Sequence, residues 1–303
     1  MNQIELRALA KINLGLDVLG RRENGYHDVR MIMQSIYLYD EVKIIKRKEP
    51  GIRLATNLGF LPVGEGNIAY KAAQRLTEEF QLDQGVEIML DKHIPVAAGL
   101  AGGSSDAAAV LFGMNRLFRL RLTQKELMDR GVKLGADVPY CIMRGTVLAE
   151  GIGEELSVLP PMPKCTVLIA KPPVSVSTKT VYEALDAKAI TEHPDIDGII
   201  EGLKQGDVKA VAASMGNVLE DVTVPMYPVI DEIKKEMMAA GALGAMMSGS
   251  GPTVFGLFEN RAAAKTAQRK IREKALTKQV YITNIHSVRT VSYTHLRAHE
   301  TSA

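Results

Sequence analysis

The stretch that decides the fold is PVAAGLAGGSSDAAA, residues 95–109. Its backbone can turn sharply at three glycines, Gly99, Gly102 and Gly103. Glycine tolerates positive φ and has no Cβ, so its amide groups can approach a ligand closely. An alanine-rich helix follows and is expected to open at Ser104, Ser105 and Asp106. Because the N-terminus of a helix offers unpaired N–H groups and partial positive charge, the stretch predicts a phosphate cradle.

A simpler explanation is a loop followed by a helix N-cap, because Gly-Gly before Ser-Ser-Asp is also typical of that arrangement. The spacing excludes two common nucleotide loops. No lysine follows the second glycine pair, as a Walker loop requires, and the Gly-x-Gly-x-x-Gly spacing of dinucleotide folds is absent. A phosphate bound here would therefore be held by another architecture.

The composition is that of a soluble globular protein, with 46% hydrophobic and 24% charged residues among 303. Lys plus Arg at 37 against Asp plus Glu at 35 leaves a net charge of +2, which gives no support for a nucleic-acid or membrane partner. No apolar run reaches the roughly 18 residues that span a bilayer, and residues 1–15 lack a signal-peptide core. Two cysteines form no disulfide framework, so we expect a cytoplasmic protein.

The first strand is predicted over residues 4–19, where apolar and polar side chains alternate. This pattern places Lys11 and Asn13 on one face. A lysine on a strand is usually solvated, but the neighbouring Asn13 and the following Gly15 indicate that a ligand can approach this face closely.

A hairpin is predicted next, because the turn signal Asn24-Gly25 precedes a second strand-like run over residues 29–39. The hairpin would display Tyr26 and His27 near its tip. Both side chains also have plainer interpretations, which are packing for the tyrosine and surface exposure for the histidine.

A strand, the cradle and a helix follow one another along the chain. Residues 86–90 read as a strand that delivers the chain to the cradle, and the helix after it is expected to reach about residue 118. Before this strand, Asn67 is the predicted N-cap of a helix over residues 68–80.

A further helix is expected from Thr123, which has capping-box spacing to Glu126. It would end at GADVPY, residues 135–140, since the residue before Pro139 is pushed towards an extended backbone. Asp137 is then expected on a constrained helix-to-strand junction. A turn or capping aspartate is the alternative that this segment leaves open.

The domain boundary is predicted at residues 160–163, where three prolines in four positions interrupt any regular element. We predict an N-terminal domain over residues 1–160 and a C-terminal domain over residues 161–291, in which helices mix with an antiparallel sheet. Residues 292–303, SYTHLRAHETSA, read as a non-native tail and are excluded from fold and function.

Three separated segments occur in a specific order: ALAKINLGLDVLGRRENGYH from residue 8, PVAAGLAGGSSDAA from residue 95 and LGAMMSGSGPTVFGLF from residue 243. Together they resemble the three motifs of the GHMP small-molecule kinase family, with GADVP between the second and the third. The Gly-Tyr-His of the first segment resembles the members that act in the non-mevalonate route to isoprenoid precursors.

The resemblance implies an α/β (α+β) fold with an N-terminal domain of ribosomal-protein-S5-like topology and a ferredoxin-like C-terminal domain. The active site would lie between them. It also implies ATP-dependent phosphorylation of the 2-hydroxyl of a small cytidyl-linked polyol, with ATP and Mg²⁺ as cofactors. We expect a monomer or weak homodimer.

The resemblance further implies roles for individual residues. The ATP-phosphate loop would consist of Pro95, Val96, Ala97, Ala98, Gly99, Leu100, Ala101, Gly102, Gly103, Ser104 and Ser105. The adenine would lie beside Asn67 and Lys92. The catalytic pair would be Lys11 and Asp137. The substrate side would be lined by Asn13, Tyr26, His27, Thr178 and Tyr182. No residue is assigned to a metal ion, for which Ser105 is only a weak candidate.

The chemistry of phosphoryl transfer agrees with this assignment. Transfer to an alcohol needs a carboxylate that accepts the proton, a cation that steadies developing charge, and donors around the moving phosphate. Asp137 and Lys11 would supply the first two, and the cradle would supply the third.

Two alternatives stay open from the sequence. A GHMP kinase of the homoserine or mevalonate type shares the glycine cradle but does not explain the NGYH hairpin. A catalytically silent nucleotide-binding regulator could use the same fold, although the presence of both Lys11 and Asp137 argues against it.

Overall fold

A computed structural model describes residues 1–287 except residues 24, 187–189 and 191. The predicted tail, residues 292–303, and the end of the predicted C-terminal domain, residues 288–291, lie outside the described residues. Among the helices that are described, none is long and apolar enough to cross a membrane.

The first half of the chain contains, in order, β1 (Gln3–Arg21), β2 (His27–Arg47), β3 (Ile52–Thr56), α1 (Ile68–Glu79), β4 (Gly85–Asp91), α2 (Gly102–Phe118), α3 (Gln124–Gly131), α4 (Val138–Met143), β5 (Thr146–Glu150) and β6 (Glu155–Val158). The second half contains β7 (Thr166–Lys171), α5 (Thr178–Asp186), α6 (Ile196–Gln205), α7 (Val208–Ser214), β8 (Gly216–Asn217), α8 (Glu220–Met226), α9 (Val229–Ala239), β9 (Gly244–Met247), β10 (Val254–Phe258), α10 (Arg261–Glu273) and β11 (Gln279–Asn284).

The first sheet has the order β3-β4-β2-β1-β8, with β5 paired to β2 and β6 paired to β5. β1 and β2 pair antiparallel up to Arg21 opposite His27, which confirms the predicted hairpin. α2 packs on β1 and β2, and α1 packs beside α2. The first sheet therefore carries the cradle, since α2 begins where the cradle ends.

The predicted helix caps are confirmed. The Asn67 side chain accepts a hydrogen bond from the amide of Ala69 at 2.9 Å, so it caps α1. Thr123 and Glu126 form the full capping box at the start of α3. These local signals are reliable because each satisfies helix N–H groups within a few residues.

The second sheet has the order β11-β7-β10-β9, and each neighbouring pair is antiparallel. Counted along this half of the chain, its strands lie in the order fourth, first, third, second. With helices between β7 and β9 and between β10 and β11, this is the β-α-β-β-α-β arrangement of a ferredoxin-like domain. The predicted C-terminal fold is therefore confirmed.

An apolar cluster with members from both sheets joins them. It contains Ile12 and Leu14 from β1, Ile94 and Leu100 from the cradle, and Phe255 from β10, all nearly or fully buried. β8 also returns from the second half to pair with β1. Because this core crosses residue 160, the boundary between the two domains stays a prediction.

Gly99→Ala tests how closely the cradle approaches the loop after β9. The φ of Gly99 is 72°, and a Cβ there would lie 2.2 Å from the carbonyl oxygen of Ser248. The left-handed backbone costs other residues about 1–2 kcal/mol, and overpacking adds about 1–3 kcal/mol. We expect the free energy of unfolding to fall by about 2–4 kcal/mol in denaturant titrations.

Gly64→Ala is the matched control, because a Cβ at Gly64 meets nothing within 4 Å and its φ is not in the left-handed region. We expect its free energy of unfolding to stay close to that of the unmodified protein. Equal stability of both variants would contradict the close approach of the two loops.

Candidate active site

The cradle occupies the irregular segment between β4 and α2, and its last residue, Ala101, is the N-cap of α2 with no side-chain capping bond. The helix begins at Gly102, so the expectation that it opens at Ser104 was wrong by two residues. The reason is that glycine backbone, rather than a capping hydroxyl, leads the chain into the helix. The first N–H groups of α2 are therefore left for an external acceptor.

The cradle backbone alternates into the left-handed region at Ala97, Gly99 and Ala101, with φ of 51°, 72° and 56°. In an anion-binding nest, a left-handed residue next to a right-handed one turns successive N–H groups towards a common point, and left-handed residues at every second position are compatible with such a nest. Two of these residues are alanines, for which this conformation is strained, and such strain concentrates at functional sites. The backbone thus supports the phosphate cradle over the plain loop.

Strand β1 holds the underside of the cradle. The amide of Lys11 donates to the carbonyl oxygen of Leu100 at 3.1 Å, and the Ser105 hydroxyl donates to the carbonyl oxygen of Leu9 at 2.7 Å. Ser105 is only 2% exposed. Its hydroxyl therefore serves the fold, which weakens its candidacy as a ligand of Mg²⁺.

Lys11 and Asp137 lie together, as the sequence predicts. The Lys11 Nζ is 3.8 Å from an Asp137 carboxylate oxygen and donates to the Asn13 Oδ1 at 2.7 Å. The Lys11 side chain is 6% exposed, whereas that of Asp137 is 31% exposed. A buried ammonium is thus held by one amide oxygen beside a carboxylate that solvent or a ligand can reach.

Asp137 immediately precedes α4, and not a strand, so the predicted helix-to-strand junction was wrong. Its φ and ψ of −80° and −10° are helical, and Pro139 occupies the first turn of α4. Proline is tolerated there because the first N–H groups of a helix have no intrahelical partner. The carboxylate of Asp137 makes no capping bond to the helix, which leaves its oxygens for other chemistry.

A buried hydroxyl network anchors α4 to the first sheet. The Tyr140 hydroxyl lies 2.9 Å from the Ser35 hydroxyl and donates to the carbonyl oxygen of Gly145 at 2.9 Å. Ser35 on β2 is the register partner of Lys11 on β1. The strand pair that carries Lys11 and the helix that follows Asp137 are therefore joined directly.

The predicted substrate side is formed by the hairpin and α5. The rings of His27 and Tyr182 lie 4.9 Å apart between centroids, at an angle of 42°. Burial, followed by the charge of Asp137, raises the pKa of Tyr182 to about 12. The ring contact therefore joins α5 to the hairpin. Tyr26 is 60% exposed, so its ring is open to a ligand.

The loop after β9 brings the third motif against the other two. The Ser248 hydroxyl donates to the carbonyl oxygen of Gly99 at 3.0 Å, and the Thr178 and Ser250 hydroxyls are 2.8 Å apart. Asn217 fastens this loop by donating to the carbonyl oxygens of Met247 and Gly249 at 2.9 and 2.8 Å. Sequence reasoning missed Asn217, because nothing along the chain places β8 beside this loop.

The two residues predicted beside the adenine lie in different settings. The Asn67 side chain is occupied on both atoms, since it caps α1 and donates to the carbonyl oxygen of Pro62 at 3.0 Å. The Lys92 side chain is 4% exposed and donates to Asp40 and Asp106 beneath the cradle. Its ammonium is therefore directed into the fold, and a place for Lys92 beside the adenine stays a prediction.

Sequence reasoning also missed Asp40, although one signal was present. Asp40 interrupts the apolar pattern of a strand, and the structure places it at 0% exposure. A carboxylate in that position needs compensating partners, because a buried charge without them is costly. Such an interruption marks a residue whose partners come from elsewhere in the chain.

Comparison with known proteins gives these features a family context. The GHMP kinases N terminal domain profile matches residues 67–145, and the GHMP kinases C terminal profile matches residues 199–276. A 4-diphosphocytidyl-2-C-methyl-D-erythritol kinase of Lachnospira eligens is 61% identical over 283 residues, covering 93% of this chain and 98% of that protein.

Solved structures agree with the sequence relatives. A crystal structure of 4-(cytidine 5'-diphospho)-2C-methyl-D-erythritol kinase is 32% identical with a TM-score of 0.80, covering 94% of this chain and 100% of that chain. A homoserine kinase from Cytophaga hutchinsonii shares the fold with a TM-score of 0.77 at 24% identity, covering 94% of this chain and 95% of that chain. These matches, over nearly the whole chain, show that the protein belongs to the GHMP kinase family.

Proposed function

We infer that this kinase transfers the γ-phosphoryl group of ATP to the 2-hydroxyl of 4-diphosphocytidyl-2-C-methyl-D-erythritol. The products are the 2-phosphate and ADP, and the reaction belongs to non-mevalonate isoprenoid precursor biosynthesis. The observation that carries the inference is the Lys11–Asp137 pair, 3.8 Å apart, whose lysine is bonded through its amide to the cradle at Leu100. The facing rings of His27 and Tyr182 support it. The 61% identical relative bears the name of this activity.

Asp137 is the group that accepts the proton from the attacking hydroxyl. A general base must be ionised and must reach the proton that it abstracts. The partly exposed carboxylate of Asp137 meets the second condition, because its oxygens are not used to cap α4. We propose that the polyol of a bound cytidyl substrate lies against this carboxylate.

Lys11 steadies the negative charge that develops during transfer. Its ammonium is fixed by Asn13 and excluded from bulk water, so its charge is screened less than that of a surface lysine. The main-chain bond from Lys11 to Leu100 keeps this charge next to the cradle. The cradle N–H groups supply further donors around the phosphates, as phosphoryl transfer requires.

Mg²⁺ is expected to arrive with ATP. Within the described part of the chain, no group of three or more His, Cys, Asp or Glu side chains could hold a metal ion. Mg²⁺ commonly takes most of its ligands from phosphates and water, and the half-buried Ser104 in the first turn of α2 would offer a hydroxyl oxygen. When bound, Mg²⁺ would neutralise charge on the β- and γ-phosphates.

The cytidine end is recognised by aromatic faces and one polar edge. Tyr26 and Tyr182 can each stack on the π-face of a pyrimidine, and His27 can bond its edge. Thr178, held by Ser250, lines the same side. Homoserine or mevalonate would leave this aromatic surface unused, and a silent regulator would not require the Lys11–Asp137 pair.

The cellular setting that we propose is the cytoplasm. Cys141 and Cys165 are both buried free thiols, and free thiols are typical of proteins in a reducing compartment. We keep the expectation of a monomer or weak homodimer.

A substrate panel at constant ATP tests the proposal. ADP release would be measured with the cytidyl polyol, its uridyl analogue, homoserine and mevalonate. We expect turnover with the cytidyl polyol, and phosphorylated product at its 2-position. Turnover with homoserine or mevalonate alone, or with none of the four, would overturn the assignment.

Asp137→Asn is expected to fold normally and to lose most turnover, because the amide cannot accept the proton. Loss of a general base lowers kcat by about 10²–10⁴. The measurement is kcat from ADP release together with the thermal midpoint. Asp129→Asn, which changes an exposed carboxylate on α3, should keep the normal kcat. A folded Asp137→Asn variant with normal kcat would remove Asp137 from the mechanism.

His27→Ala is expected to weaken the preference for cytidine over uridine. A buried polar group left unpaired costs about 1–3 kcal/mol, so the unmodified enzyme should disfavour the uridyl analogue by roughly tenfold or more in kcat/KM. In the variant, the ratio of kcat/KM for the cytidyl substrate to kcat/KM for the uridyl analogue should be smaller, while KM for ATP stays near normal. The same ratio in both proteins would shift base recognition to the backbone at residues 174–180.

A further inference from the structure

Three charged side chains lie buried directly beneath the cradle and outside the Lys11–Asp137 pair. Lys92, Asp40 and Asp106 have side-chain exposures of 4%, 0% and 4%. They come from three elements, since Asp40 is on β2, Lys92 follows β4 and Asp106 is in α2. This buried triad carries one positive and up to two negative charges.

Asp40 holds the chain at the point where it leaves β4 for the cradle. Its Oδ1 accepts hydrogen bonds from the amides of His93 and Ile94 at 2.5 and 2.8 Å. Its Oδ2 accepts from the Lys92 ammonium. One carboxylate thus fixes three consecutive residues, and charge-assisted bonds of this kind are stronger than neutral ones.

Lys92 extends this anchor to the other end of the cradle. Its Nζ donates to an Asp106 oxygen at 2.5 Å, and a Cβ on Gly102 would lie 3.5 Å from the same Nζ. The ammonium therefore lies under the first turn of α2. Asn57 clamps the Lys92 backbone from outside, accepting from its amide at 2.9 Å and donating to its carbonyl oxygen at 3.2 Å.

Stability alone does not account for this arrangement. A buried ion pair is often no more stabilising than an apolar replacement of the same volume, because its desolvation is costly. Burial acts to lower the pKa of Lys92, but the charges of Asp106 and Asp40 outweigh it and raise that pKa. The ammonium is thus held in its charged form by two carboxylates that belong to opposite ends of one loop.

We propose that Asp40 is a positioning residue for the nucleotide, which acts through Lys92 and the amides of His93 and Ile94. It holds both ends of the cradle so that the left-handed backbone at Ala97 and Ala101 keeps its N–H groups convergent. The inference rests on the proposed function for the identity of the ligand, a nucleoside di- or triphosphate. Asp40 itself touches neither nucleotide nor acceptor.

Asp40→Asn tests this role by comparing the binding of the nucleotide with the binding of the acceptor. The amide keeps the volume but loses the charge, and its NH₂ group would face either the ammonium or the two backbone amides. We expect the Kd for ADP, measured by calorimetry without acceptor, and KM for ATP to rise about tenfold. KM for the acceptor at saturating ATP should change less than threefold.

Asp106→Asn provides a milder second variant, because Lys92 keeps Asp40 as its partner. At pH 6, where the carboxyl of Asp106 is itself largely protonated, we expect the Kd for ADP of this variant to stay within about threefold of the normal value. Asp83→Asn, an exposed carboxylate just before β4, is the matched control and should bind ADP normally. Normal ADP affinity in every folded triad variant would overturn the proposal. Variants that lower the thermal midpoint and leave the Kd for ADP unchanged would overturn it in the same way.

The pH dependence of ADP binding adds a readout that a merely structural role would not change. Burial raises the pKa of Asp106 from 3.8 to about 7, against the opposing charge of Lys92 and together with that of Asp40. Burial raises the pKa of Cys141 on α4, and the charge of Asp106 contributes to this rise. Cys141 is therefore a neutral thiol over this pH range. As pH rises through 7, Asp106 loses its proton and the triad gains net negative charge beneath the phosphates.

The Kd for ADP should therefore rise between pH 6 and 8 more steeply in the unmodified protein than in Asp106→Asn, where position 106 does not titrate. Parallel profiles would contradict the link between the triad and the cradle. Because ADP binding is measured without acceptor, this result stands apart from the substrate panel. A protein that binds ADP but rejects the cytidyl polyol would overturn the proposed function and leave the positioning role testable.

Discussion

The hydrogen bond from the Lys11 amide to the carbonyl oxygen of Leu100 is the contact on which the site depends. It joins the central strand of the first sheet to the cradle, so the proposed catalytic ammonium and the proposed phosphate site share one piece of backbone. The bond is buried, and breaking it would leave two polar groups unpaired in an apolar core. The relation between Lys11 and the cradle is therefore set by the fold and does not require a ligand.

Around this contact, three polar arrangements hold the remaining parts. The Ser35–Tyr140–Gly145 network fixes the helix that follows Asp137, Asn217 fixes the loop that touches Gly99, and the Asp40 triad fixes both ends of the cradle. Each joins segments that are distant in sequence through hydrogen bonds between buried groups. Such bonds are electrostatically stronger in a low-dielectric interior than in water. A preorganised site of this kind spends little binding energy on ordering itself.

The shared apolar core explains why the site can lie between two sheets. Ile94 and Leu100 project from the cradle into a cluster that also contains Phe255 of the second sheet. The cradle is therefore part of the packing between the two halves, and the close approach of Gly99 to Ser248 follows from it. Any movement of one half relative to the other would change the packing of the cradle.

The sequence by itself determined features that depend on neighbours along the chain. The hairpin before His27, the Asn67 cap, the capping box at Thr123 and the glycine cradle are local signals, and the three ordered motifs identified the family. Lys11 and Asn13 could be placed on one face because a strand has a period of two. The hydrogen-bond partners in these signals lie within a few residues of one another, so tertiary contacts did not override the signals.

Only the tertiary structure decided what depends on partners from elsewhere. The segment around Pro139 is helical in the structure, and α8 forms although Pro225 lies within it. The tertiary structure also directed Lys92 towards two buried carboxylates, because a desolvated ammonium must be paired. Asp40, Asn217 and Tyr140 acquire their roles from contacts across 52, 30 and 105 positions, and no local pattern encodes a partner at such separations.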